Sequence, residues 1–113
     1  MEHRDEILLK KVLSEIRVAK QMLGDADESR FMQNEMMKRA VCMTVINIGE
    51  LVKGLTEACR LSHPEVAWKE IAGFRDIAAH KYQSLRMEDV YVTVKEDFPV
   101  LMKQVQKILK DTD

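Results

Sequence analysis

Aromatic residues are scarce, at 5% of 113 residues. That disfavours a β-sandwich, whose strands draw heavily on aromatic and β-branched side chains. Four glycines and two prolines are too few for a turn-rich or low-complexity chain. The two cysteines, Cys42 and Cys59, lack CxxC spacing, and no clustered His or Cys completes a set of zinc ligands, so neither a disulfide framework nor a metal or other cofactor is expected. Both thiols are expected to be buried and reduced. An excess of one charge is missing too: 18 basic and 19 acidic residues leave a net charge of −1, so no overall positive field holds nucleic acid non-specifically. A local positive site remains possible. The longest uncharged run, Ala40 to Gly49 between Arg39 and Glu50, falls well short of the roughly 20 residues of a bilayer span. The charged start, Met1-Glu2-His3-Arg4-Asp5-Glu6, is unlike a secretory leader, so a cytoplasmic location without a membrane is expected.

What is present favours helices. The chain is 46% apolar and 33% charged, with eight methionines, the balance of a soluble, folded domain packed by aliphatic side chains. Its length suits one domain over residues 1–113. Leu9, Val12, Ile16, Ala19 and Leu23 repeat at spacings of three and four, predicting a first helix from about Glu2 to Leu23 that ends at Gly24. Asp25 to Ser29 supplies capping residues for a long second helix, from about Ser29 to Cys59. Its centre is apolar on nearly every face, which calls for burial on more than one side, in a central bundle position or at a subunit interface, and a homodimer is expected. Gly49 and Gly54 each cost roughly 1 kcal/mol in a helix interior, so a close backbone approach is expected there. Ser62 and Glu65 have capping-box spacing and Pro64 suits a first turn, predicting a third helix from about Pro64 to Ala79 with Ala67, Ile71, Phe74 and Ala78 inward. A short loop, Lys81 to Leu85, precedes a fourth helix from about Arg86 to Lys110, kinked near Pro99, whose ring would meet the Lys95 carbonyl. The expected fold is all-α, an antiparallel bundle of four to five helices.

The segment richest in chemistry is Phe74-Arg75-Asp76-Ile77-Ala78-Ala79-His80-Lys81-Tyr82. Asp76 and His80 are four apart and would be neighbours on a helix, where a carboxylate can orient an imidazole for general acid–base work. At 100° per residue Arg75 and Tyr82 nearly share a face, but His80 lies about 140° from Arg75. Either the helix opens before His80, or a substrate spans the helix end, or a second subunit brings the groups together. On spacing alone, solvated charge complementing a helix C-terminus is the simpler account. Asn47 and Glu50 could line a cleft, although a polar stripe on the bundle surface explains Glu50 more simply. His63 reads as a turn residue, His3 as part of a frayed end, and Trp68 as a core anchor. Met36, Met37 and Met43 read as adaptable core or interface packing.

The pattern Arg75-x4-His80-x-Tyr82 resembles the signature of HEPN domains, in the form found in HepT-like toxins. Lys38-Arg39-Ala40 with Ile48-Gly49-Glu50 resembles that family's second helix. Trp68-Lys-Glu-Ile-Ala-Gly-Phe-Arg75 resembles the lead-in to the motif, and Glu96-Asp-Phe-Pro99 the family's end. The resemblance covers the chain from about Ser29 onward; Lys81 departs from it, standing where glycine is common. It implies a HEPN-like bundle acting as a metal-independent endoribonuclease toxin. Arg75 and His80 would be catalytic, with Asp76 and Tyr82 supporting. It further implies an RNA substrate and a nucleotidyltransferase antitoxin that transfers AMP to Tyr82. The alternative is a non-catalytic HEPN module that binds a nucleotide or positions a substrate for such a partner.

Overall fold

The computed structural model describes residues 1–111, and among them every regular element is helical. Four rods make the bundle: α1 (His3–Leu23), α3 (Glu35–Lys53), α5 (Trp68–His80), and a last rod in which α6 (Met87–Val92) continues through one π-helical stretch, Thr93–Asp97, into α7 (Phe98–Asp111). Two short helices connect them, α2 (Glu28–Gln33) and α4 (Glu57–Ser62). The first helix starts at His3, one residue after the expected start at Glu2.

The expected second helix is in fact three. Asn34 leaves helical geometry and its side chain accepts from the Met37 N–H at 2.9 Å, opening α3 while α2 closes behind it. Asp27 caps α2 in the same way, through Arg30 N–H at 2.8 Å. Near the far end, α3 stops at Gly54, and Thr56 caps α4 by accepting from Cys59 N–H at 3.1 Å. Each break is a side chain competing with the helix for backbone donors, a contest that apolar periodicity does not register.

The Ser62–Glu65 capping box does not form, because Ser62 is the last residue of α4. Residues 63–67 turn instead, and α5 begins only at Trp68. The buried Trp68 ring anchors that turn, its indole N–H donating to the His63 carbonyl at 2.9 Å. Ala67 is consequently exposed and its neighbour Val66 takes the core position, whereas Ile71 and Phe74 are half-buried and Ala78 is buried. The turn before Pro99 is not regular α-helix. The widened π stretch at Thr93–Asp97 covers Lys95, the residue whose carbonyl the proline ring would crowd.

The core joins the predicted α1 stripe to Val41, Val45, Ile48 and Val52 of α3 and Phe98, Leu101, Val105 and Ile108 of the last rod. Helices α1 and α3 run antiparallel, with Asp5 at Thr56 and Glu15 at Asn47. Asp5 is nearly inaccessible, yet both oxygens are satisfied: Thr56 N–H donates to one at 2.9 Å and the Thr56 hydroxyl to the other at 2.7 Å. Cys42 and Cys59 are buried and unbridged, and burial pushes both thiols above their ordinary range, Asp5 adding to the effect at Cys59. Most of α3 is enclosed between α1 and α5, so its apolar centre is covered on two sides.

Candidate active site

Helices α3 and α5 are antiparallel and closely packed, with Gly49 facing Arg75 at one end and Arg39 facing Tyr82 at the other. Gly49 permits this. A Cβ placed there would overlap the Arg75 side chain, lying 2.6 Å from its Cγ, and would sit 3.2 Å from the Ile71 carbonyl oxygen. The close approach expected at Gly49 is therefore real, and its function is to seat Arg75. Gly54 ends α3, and a Cβ there would lie 3.3 Å from the Leu8 Cδ1 and from the Leu51 carbonyl oxygen.

Arg75 is the hub of the site. Its side chain is 18% exposed, and its Nη2 lies 2.9 Å from Glu50 Oε2. Nη1 reaches Asp76 Oδ1 at 3.2 Å and His80 Nε2 at 3.4 Å. Buried Nε has no hydrogen-bond partner among the described residues. Asp76 in turn accepts from Lys53 Nζ at 3.0 Å. The result is an alternating row, Lys53–Asp76–Arg75–Glu50, with the imidazole hanging from the guanidinium. Lys53 and Arg75 hold the Asp76 carboxyl below the usual carboxylate range, the Lys53 bond being the larger cause.

The expected partnership of Asp76 with His80 is absent among the described residues; Asp76 bonds Lys53 and Arg75 instead. The helix does not open before His80, since α5 runs through it. Arg75 and His80 meet because the long arginine side chain bridges the angular gap. A contact donated by Arg75 requires an unprotonated Nε2, the form in which imidazole can accept a proton.

Tyr82 begins a 3₁₀ turn, Tyr82–Ser84, just past the helix, within the expected loop. Its ring lies under Arg39, whose guanidinium carbon is 5.3 Å from the ring centroid. Arg39 is tied to Glu35 at 2.9 Å, and Lys38 reaches the other Glu35 oxygen at 3.1 Å. Those two cations hold the Glu35 carboxyl below its ordinary range, Lys38 first.

Sequence reasoning undervalued Glu50, whose carboxylate belongs to Arg75 and not merely to a surface stripe. It also missed Lys53 and Arg39 as members of the site. The signal was weak: Glu50 and Lys53 share a face at helical spacing, but nothing in the sequence says that α5 lies across it. Asn47 is half-buried and donates to Glu15 at 3.2 Å, next to a small polar recess of Lys11, Ser14, Glu15, Glu50 and Leu51. His63 lies in the turn after α4, 3.6 Å from Glu65 and away from this row.

A family model described as "Ribonuclease HepT-like" matches residues 12–108. "Putative RNase MJ0125" of Methanocaldococcus jannaschii is 35% identical over 89 residues, spanning 79% of this chain and 77% of that one. "Putative RNase TTE0752" of Caldanaerobacter subterraneus subsp. tengcongensis is 38% identical over 80 residues, 71% of each chain. "Probable ribonuclease HepT" of Thermococcus cleftensis is 28% identical over 108 residues, 96% of each. No solved structure matches.

Proposed function

This chain belongs to the HepT-like ribonuclease family, and from that premise we propose that it is a metal-independent endoribonuclease acting at the Arg75–His80 pair. The observation that carries the reading is the 3.4 Å contact between Arg75 Nη1 and His80 Nε2 at the exposed end of α5. A cation and a proton-transfer group side by side are what cleavage of a ribose phosphodiester needs. The 2′-hydroxyl gives up its proton and attacks the adjacent phosphorus, forming a P–O2′ bond. The P–O5′ bond breaks, and the leaving oxygen takes a proton. The products are a 2′,3′-cyclic phosphate and a 5′-hydroxyl end. His80 serves as base or acid in these transfers. Arg75 stabilises the extra negative charge of the phosphorane. DNA, without the 2′-hydroxyl, is inert. Asp76 acts on the arginine as a positioning residue and not on the imidazole, a revision of the role that spacing suggested.

Incubation with single-stranded RNA, with and without EDTA, tests this directly. Cyclic-phosphate products that persist under chelation and fall about 10² to 10⁴-fold in His80→Ala are expected. Undiminished cleavage by that variant, or complete loss on chelation, refutes the mechanism. One observation favours the second reading, a non-catalytic HEPN module: Arg75 is already engaged by two carboxylates. RNA or nucleotide binding without any cleavage would select it.

The same reading extends to assembly and control. Met36 and Met43 are 84% and 55% exposed, and they lie seven apart on α3, hence on one face. That unpartnered face supports a homodimer, and light scattering that returns the 13.1 kDa monomer would overturn it. The pairing with a nucleotidyltransferase antitoxin, and AMP transfer to Tyr82, rest on family likeness together with the position of Tyr82 two residues beyond His80.

A further inference from the structure

Arg39 uses only part of its binding capacity within the chain. Its one side-chain hydrogen bond among the described residues runs from Nε to Glu35. Its guanidinium carbon lies over the Tyr82 ring, 5.3 Å from the centroid. The side chain is nonetheless 63% exposed, with Nη1 and Nη2 outside that bond. A pair four apart on a helix surface is commonplace and contributes little. By itself it would leave a long, mobile side chain. The cation–π contact with a ring from another element adds a second restraint, which narrows the orientations open to the fork before any ligand arrives. Such preorganisation lowers the entropy lost when a planar guanidinium grips an oxyanion with two parallel hydrogen bonds.

We propose that Arg39 is a second phosphate-binding position for the RNA chain, with Glu35 and Tyr82 holding its guanidinium in place. This rests on the ribonuclease reading of the Arg75–His80 pair. Arg39 and Glu50, the residue bonded to Arg75, are both on α3 and eleven positions apart, about 16 Å at 1.5 Å per residue. A single phosphodiester cannot touch both ends of that face. A longer strand lying along the α3–α5 seam can, and its cleavage would be guided from beyond the scissile bond. Arg39 is thus a substrate-binding residue remote from the bond that breaks.

The test uses a labelled single-stranded RNA of roughly 12 nucleotides, within the usual range of single-strand sites. Its binding is measured by anisotropy in the His80→Ala background, so that no cleavage intervenes. Adding Arg39→Ala is expected to weaken Kd about tenfold and to flatten the dependence of log Kd on log salt by about 0.7, the share of one phosphate contact. Arg39→Lys, which keeps the charge and loses the fork, should recover part of the affinity. In the protein with His80 intact, Arg39→Ala should raise KM for the long RNA several-fold more than KM for a dinucleotide. Unaltered Kd and salt slope overturn the proposal. So does a matching kcat loss on the dinucleotide, which would mean that Arg39 acts only by placing Tyr82 and His80. Arg39→Gln repeats the comparison should the alanine variant lose helical content. If no RNA is cleaved by the unmodified protein, the nuclease reading fails while the binding measurement still decides the role of Arg39.

Discussion

Gly49 of α3 lies directly under Arg75 of α5, and a methyl group at residue 49 would come within 2.6 Å of the Arg75 Cγ. The glycine thus lets two helices close up at the point where the guanidinium must be held. In an unencumbered helix interior, Gly→Ala gains up to about 1 kcal/mol from propensity. Here overlap reverses the sign, since overpacking costs about 1–3 kcal/mol. Gly49→Ala is expected to lower Tm and to reduce RNA cleavage by displacing Arg75 from Glu50. A variant more stable than the parent, with full activity, would show that the two helices have room to spare.

Asp5 tests how the bundle is closed just beyond the end of α3. Its carboxylate receives both the backbone N–H and the hydroxyl of Thr56, and that hydroxyl caps α4. Asp5→Ala leaves Thr56 N–H unpaired in a covered site, at an expected cost of about 1–3 kcal/mol. Thr56→Ala should cost about 1 kcal/mol as a lost cap, and the double variant less than the sum, because both changes remove the same network. Chemical denaturation of the four proteins decides it, and strict additivity would count against a shared network.

The carboxyl of Asp76 titrates below its ordinary range, because Lys53 and then Arg75 favour its charged form. A depressed folded-state pKa contributes stability above the unfolded value, about 3.9, and that contribution disappears as pH falls through the folded value. Carbon-detected NMR titration should place the Asp76 midpoint below that of an unperturbed aspartate. Lys53→Ala should move it upward and make the loss of stability as pH falls below the unfolded value shallower. An Asp76 midpoint indifferent to Lys53 would mean that the bond does not persist in solution.

Control through Tyr82 makes a separate demand. Incubation with the proposed partner nucleotidyltransferase and ATP should add one AMP to Tyr82 and suppress cleavage, since the anionic adduct stands where RNA phosphates approach. Tyr82→Phe keeps the ring that lies under Arg39 and removes the acceptor oxygen, so it should escape silencing. Intact mass and peptide mapping read the result. An adduct elsewhere that silences equally well would remove Tyr82 from the regulation while leaving the nuclease assignment intact.

Much of the architecture follows from the sequence alone. The stripe from Leu9 to Leu23, the need to bury the centre of α3 twice over, and the disturbance before Pro99 are all local consequences of side-chain periodicity and backbone chemistry. The positions of Arg75, His80 and Tyr82 at the end of a helix are legible for the same reason, as is the use of glycine at residue 49. Tertiary structure decided the rest. Asn34 and Thr56 cut the long apolar segment into three helices because their side chains capture backbone N–H groups; Thr56 is held in turn by Asp5, a residue at the other end of α1. Asp76 could have oriented His80 by spacing, yet Lys53 drew its carboxylate toward α3. Glu50 and Arg39 joined the site only because α5 lies antiparallel along their face. Periodicity says which side of a helix is apolar, but charged side chains are long and choose among partners that the packing brings within reach. Which ion pairs form is therefore settled when the helices dock.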